Sequence, residues 1–168
     1  MSKLSSSQLE TIAIFTSGAD KLEESVASLS EKQLDYSMAP GEWTVRQIIH
    51  HVAEDGDAWS FNFKKALAAA GMLIQRGQQS PENDAWAKAL SYDKRPVQAS
   101  LALLRAHRQI MAELAEFFPD RWENSIIFVD SGGNQRSVSA GGIIRMVGNH
   151  LLEHVNAINA IKRQHGIV

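Results

Sequence analysis

The sequence predicts an all-α protein, an up-down bundle of four helices with a long connection before the last helix. Four long stretches place their apolar residues at a helical period and not at a strand period. Most of these stretches open on a Ser or Thr that suits a helix N-cap, and turn-forming residues separate them. Bundles of this kind hold ligands and metals between facing helices, on side chains that point inward.

Composition limits the classes of protein that the chain can belong to. Its 168 residues fit one domain, residues 1–168, with 44% hydrophobic and 21% charged residues. A net charge of −2 without a dense basic cluster argues against a nucleic-acid partner. The absence of cysteine excludes disulfides, a thiolate nucleophile and a cysteine-ligated metal. No stretch resembles a signal peptide or a membrane span, so we expect a cytoplasmic protein without a membrane partner.

Capping motifs set the start of the first two long helices. Overlapping capping boxes at residues 5–8 and 7–10 precede an amphipathic stretch that runs from Leu9 to Leu29. A third box at 30–33 predicts a short helical turn, and residues 38–41 break the chain at Pro40-Gly41. A fourth box at 44–47 opens the second long helix, whose apolar residues run from Val45 to Leu67.

The second half of the chain contains the other two long helices. We expect a loop over 77–83, which includes Pro81, and a short helix around Trp86. Pro96 suits the first turn of the third helix, and the β-branched run 125–129 with its turn-forming sequel 130–134 predicts a small hairpin or an ordered loop. Ser137 or Ser139 caps the fourth helix, which extends to about Gln164.

Two histidines on the fourth helix are the strongest sign of a functional site. His150 and His154 stand one helical turn apart, within the apolar stripe that includes Val147 and Ile158. Buried polar groups need partners, and a divalent ion satisfies two neighbouring imidazoles at once. Zinc, nickel and iron(II) all accept imidazole nitrogen.

A third ligand must come from another helix, and the residues alone leave the choice open. His50 falls on the polar face of the second helix, which is typical of a solvated surface residue. His51 falls on the opposite flank, nearer to Trp59, and is modestly favoured. His107 lies in the apolar arc of the third helix, so it is a rival ligand or an ordinary core residue. A carboxylate is a further candidate.

Two segments resemble one known family. Residues 41–54, with the sequence GEWTVRQIIHHVAE, resemble the motif that opens the second helix of DinB-like, or YfiT-like, proteins. Residues 149–154, with the sequence NHLLEH, resemble the HxxxH motif on the fourth helix of that family. The order and separation of the motifs also match, and the resemblance covers nearly the whole chain.

The resemblance implies a site in which three histidines bind a divalent metal. The family's signature histidine precedes an aliphatic-Ala pair and corresponds to His51, and the other two ligands correspond to His150 and His154. This chain departs from the family at Ala157, where many members have Gln three residues after the last ligand.

The resemblance implies several functions. The wider family includes mycothiol-dependent maleylpyruvate isomerase and bacillithiol S-transferases, so we first expect a thiol-dependent, S-transferase-like enzyme that uses a small-molecule substrate and a low-molecular-weight thiol. The alternatives are a metal-dependent hydrolase and a non-enzymatic metal-binding bundle with a stress or interaction role. The family also implies a homodimer, although no residue pattern demands an interface.

Overall fold

Four long helices dominate the computed structural model, which describes residues 3–75, 82–130 and 132–167. The long helices are α1 (Ser6–Val26), α3 (Val45–Ala68), α5 (Gln98–Phe117) and α6 (Ala140–Gln164). The connections contain α2 (Glu31–Leu34), α4 (Asn83–Ala89), a 3-10 turn (Pro119–Arg121) and the strands β1 (Leu73–Gln75), β2 (Ser125–Val129) and β3 (Gln135–Ser139). The predicted four-helix bundle is confirmed.

The helices begin where local sequence satisfies their first backbone N–H groups. The capping boxes at 5–8, 30–33 and 44–47 all form, and each pairs an N-cap hydroxyl with a Gln three residues later. The rival box at 7–10 lies inside α1 instead. Ser139, and not Ser137, caps α6 by accepting a hydrogen bond from the N–H of Gly142 at 3.1 Å.

The helices pair so that α6 lies between α1 and α3, while α5 packs against the same two helices from the other side. α1 and α6 run in the same direction, since Lys162 Nζ donates to the carbonyl of Ser25 near the end of both. α3 and α6 are antiparallel, because later residues of α3 meet earlier residues of α6: His51 lies beside His154, and Asp55 lies beside His150. The up-down order therefore holds from α1 to α3 and from α5 to α6.

α3 and α5 run parallel, so the chain must return along the bundle between them. The contact of His50 with Ser100 joins the first halves of both helices. The connection between α3 and α5, residues 69–97, is called the crossover here, and its described parts, 69–75 and 82–97, contain β1 and α4. The predicted loop over 77–83 lies mainly outside the described residues, and the short helix expected around Trp86 is α4.

A small sheet closes the end of the bundle where α5 ends and α6 begins. β2 and β3 pair as an antiparallel hairpin, which confirms the hairpin alternative predicted from residues 125–134. β1 adds a parallel strand on the other edge of β2, with Leu73 opposite Ile127. Among the described residues, no helix is long and apolar enough to cross a membrane.

Buried apolar side chains hold α3 and α6 together around the predicted histidines. Val52 and Ala53 of α3 belong to the same buried cluster as Leu151 and Val155 of α6. Val52 directly follows His51, and Ala53 follows Val52. On α6, Leu151 and Val155 directly follow the two histidines of that helix. The packing therefore fixes the backbone from which the imidazoles project.

Candidate metal centre

Three imidazoles meet between α3 and α6. His51 Nε2 lies 3.4 Å from His150 Nε2, which in turn lies 3.1 Å from His154 Nε2. Each of the three residues offers a ring nitrogen within 4.8 Å of the others. All three residues are half-buried, so the cluster is supported by the bundle and remains accessible from one side. The structure thus brings together the three residues predicted as ligands.

Local helix geometry explains this convergence. His150 and His154 are one turn apart on α6, so their rings share one face of the helix. His51 enters from α3, and the indole of Trp43 packs edge-on against its ring with centroids 4.9 Å apart. The Trp43 Nε1–H donates to Asp84 at 2.6 Å, which fixes the indole.

The spacing of the nitrogens suits a shared cation. Neutral imidazole nitrogens that face one another at 3.1–3.4 Å repel unless a proton or a metal ion lies between their lone pairs. A tetrahedral ion with bonds of about 2.0–2.1 Å to nitrogen separates its ligand atoms by roughly 3.3 Å. The donor set and its spacing therefore fit a divalent ion such as zinc.

The environment of two of the rings, His51 and His154, lowers the pKa and so favours the neutral imidazole. Burial, with the neighbouring His150 and His51, lowers the pKa of His154 to about 4. Burial also lowers the pKa of His51, against the opposing effect of the Asp55 carboxylate. Neutral imidazole is the form that binds a metal, so the lowered pKa values of His51 and His154 favour metal binding.

A cleft of about 450 Å³ opens beside the cluster. Its apolar wall consists of Trp59, Met146 and Val147, and its polar side chains are Asp55, Asn83, Asn149 and Glu153. Asn149 and Glu153, which flank the apolar stripe in the sequence, are exposed and line this cleft. A small molecule can therefore approach His51 and His150 of the cluster through a pocket with one apolar and one polar side.

Asp55 is a site residue that the sequence analysis did not single out. Its Oδ2 lies 3.3 Å from the Nδ1 of His150, on the nitrogen that faces away from the cluster. Asp55 follows His51 by four residues, so both side chains lie on the face of α3 that meets α6. The four-residue spacing from His51 could have identified Asp55 in the sequence, but it does not predict the contact with His150 on another helix.

His50 is buried, so its predicted place on a solvated surface is wrong. The residue is 0% exposed, its Nδ1 accepts from the Ser100 hydroxyl at 2.7 Å, and its Nε2 donates to the carbonyl of Arg95 at 3.2 Å. The face of α3 that carries His50 is polar in sequence, but the end of the crossover and the start of α5 cover it. Both ring nitrogens thus have partners within the fold.

His107 does not join the cluster. It is 4% exposed and packs against the backbone of Gly56, where an added Cβ would lie 2.4 Å from its Cε1. Burial, with the nearby Arg108, lowers the pKa of His107 to about 4. The structure agrees with the interpretation of His107 as a core residue and places it away from the other three histidines.

Glu54, the acidic residue of the family-like motif, holds the crossover against α3. Its carboxylate accepts hydrogen bonds from Tyr92 Oη at 2.6 Å, Trp86 Nε1 at 3.1 Å and Arg95 at 3.0 Å. These contacts place α4 beside the candidate site, where Asn83 reaches the cleft. The role of Glu54 is therefore to position the chain segment that borders the cleft.

Comparisons with known proteins agree with this architecture. A protein of Oceanobacillus iheyensis with the name "Putative metal-dependent hydrolase" is 30% identical over 141 residues, which span 82% of this chain and 77% of the relative. A Bacillus mycoides protein with the same name is 28% identical over 140 residues, or 83% of this chain and 78% of the relative.

The fold and the family follow from two further matches. A solved structure described as "YfiT from Bacillus subtilis is a probable metal-dependent hydrolase with an unusual four-helix bundle topology" matches with a TM-score of 0.84 and 20% identity, over 100% of this chain and 93% of the other. At that identity the likeness establishes the fold. The family model described as DinB superfamily matches residues 14–158. This chain therefore belongs to the DinB superfamily.

Proposed function

We propose that this protein is a metal-dependent hydrolase in which His51, His150 and His154 hold one divalent ion. The observation that supports this most is the convergence of three Nε2 atoms with neighbouring separations of 3.1 and 3.4 Å. Three imidazoles from two helices leave part of the coordination sphere open, as in catalytic zinc sites. Zinc, nickel and iron(II) all suit this donor set.

The bound ion would supply Lewis acidity and lower the pKa of a coordinated water toward neutrality. The protein's own residues supply the remaining parts of the site. The low pKa of His154 keeps its imidazole neutral at neutral pH, which is the form that offers one unprotonated ring nitrogen to an ion. Trp59 and Met146 offer an apolar surface for a small-molecule substrate, and Asn83 and Asn149 offer amide donors and acceptors beside it.

Hydrolysis is favoured over thiol transfer because the similar proteins carry the hydrolase name. Nothing in those names points to a thiol substrate. A thiolate could nevertheless bind the same open position of an ion, because soft ligands suit zinc, nickel and iron. Thiol transfer therefore enters as a separate arm of the test.

The experiment is a hydrolysis panel of carboxylic esters, amides and phosphate esters with protein loaded with zinc, nickel or iron(II). We expect turnover by the wild type, loss on chelation with recovery on adding metal back, and loss in His154→Ala. The matched control is His165→Ala, which removes an exposed histidine whose Nε2 contacts the carbonyl of Ser37. This variant should keep full activity.

Each other outcome contradicts the proposal. Turnover that survives chelation or the His154→Ala substitution would remove the site from the reaction. Turnover only with a low-molecular-weight thiol and an electrophile would identify a transferase. Metal binding without turnover of any substrate in either arm would identify a non-enzymatic metal-binding bundle.

A further inference from the structure

The two ring nitrogens of His150 face different partners. Its Nε2 lies between those of His51 and His154, at 3.4 and 3.1 Å. Its Nδ1 lies 3.3 Å from Asp55 Oδ2. A neutral imidazole carries one proton, and the nitrogen that binds a metal must be the one without it. In the metal-bound state the proton of His150 is therefore on Nδ1, the nitrogen that lies beside the Asp55 carboxylate.

We infer that Asp55 is a positioning residue for the metal centre, which holds His150 in the Nδ1–H tautomer and orients its Nε2 toward the ion. This inference rests on the proposed function, because it assumes an ion among the three histidines. A carboxylate that accepts a hydrogen bond from the remaining N–H of a ligand histidine also raises the basicity of the ring. Asp55 thereby contributes to metal affinity without touching the ion.

Asp55 lies where it can support His150 but not where a fourth metal ligand would lie. Of the described residues, the group whose ligand atoms lie within 4.8 Å of one another contains His51, His150 and His154 but not Asp55. The contact of Asp55 is with the outward nitrogen of His150, on the far side of the ring. His51 and Asp55 are one turn apart, so α3 contributes both a ligand and the support of a ligand on α6.

Zinc affinity of purified protein, measured by competition with a chromophoric chelator, tests the inference. Asp55→Ala removes the acceptor, and we expect its affinity to fall by about 10–100-fold. Asp55→Asn keeps an acceptor oxygen but loses the charge, so its affinity should fall less than that of Asp55→Ala. Asp57 provides the matched control, because it is an exposed aspartate on the same helix. Asp57→Ala should change the affinity by no more than about twofold, since exposed charges are well screened.

A second readout detects the proton itself. In zinc-loaded wild type, the Nδ1–H of His150 should give a slowly exchanging proton signal by NMR, and Asp55→Ala should lose that protection. Absence of this signal from the loaded wild type would overturn the inference without any variant. Equal zinc affinity of Asp55→Ala and wild type would overturn it as well, as would an equal loss in Asp57→Ala. Failure of the wild type to bind any metal would instead contradict the proposed function.

Discussion

The close approach of His107 to Gly56 gives a quantitative prediction about the core beside the candidate site. A Cβ at position 56 would lie 2.4 Å from Cε1 and 2.6 Å from Nε2 of His107. Ordinary contacts between carbon atoms are about 3.5–4.0 Å, so the ring would have to move by roughly 1 Å. His107 is 4% exposed and cannot swing into solvent without opening the interface between α3 and α5.

Two effects determine the size of the change in Gly56→Ala. Overpacking a well-filled core costs about 1–3 kcal/mol, and because the overlap here is large we take the upper part of that range, about 2–3 kcal/mol. Alanine in a helix interior recovers about 1 kcal/mol relative to glycine. We therefore expect the free energy of unfolding to fall by about 1–2 kcal/mol, a decrease in Tm of roughly 2–8 °C for a chain of this size. Urea denaturation followed by far-UV circular dichroism measures the change.

Gly148→Ala is the matched control, since Gly148 is also a buried glycine inside a long helix. Its added Cβ would meet the Cα of Phe15 at 3.5 Å, which is an ordinary contact. This variant should be as stable as wild type or more stable by about 0.5–1 kcal/mol. Wild-type or higher stability of Gly56→Ala would refute the reasoning that His107 is fixed against the α3 backbone.

Two further predictions concern the histidines outside the cluster. His50→Ala removes a fully buried side chain with two hydrogen bonds, so the free energy of unfolding should fall by about 2–4 kcal/mol. Urea denaturation measures this change, and a decrease below about 0.5 kcal/mol would contradict the buried role of His50. Stability should also decrease with acidification, because the folded-state pKa of His107 is about 4 against 6.5 in its unperturbed form. The folded state then binds fewer protons than the unfolded state between these values, so this contribution is complete above pH 6.5 and is lost as the pH falls toward 4. Its full size is about 3 kcal/mol. Between pH 7 and pH 4.5, urea denaturation should show a smaller loss of unfolding free energy in His107→Gln than in wild type. Equal losses in the two proteins would contradict the assignment of this pH dependence to His107.

Local sequence was sufficient to predict the helix starts and the pair of histidines on α6. A capping box satisfies backbone N–H groups of its own helix, so the boxes at 5–8 and 44–47 predicted where α1 and α3 begin. The one-turn spacing of His150 and His154 fixes their shared face wherever the helix packs. His51 needed the family resemblance in addition, because the helical wheel favoured it only modestly.

The remaining features depend on contacts between distant parts of the chain. His50 lies on a polar face of α3. It is buried because Arg95, at the end of the crossover, and Ser100, at the start of α5, pack over it. β1 is three residues long and forms by pairing with β2, so its own sequence carries no recognisable strand pattern. The contact of Asp55 with His150 depends on the register of α3 against α6, which no single-helix pattern contains.

The metal content of purified variants tests the central claim most directly. Protein is dialysed against zinc and then freed of unbound metal, and its zinc is measured by mass spectrometry. We predict one ion per chain in the wild type and in the folded His50→Ala and His107→Gln variants, and substantially less in His51→Ala, His150→Ala and His154→Ala. A wild type without bound metal, or full occupancy in all three cluster variants, would contradict the account.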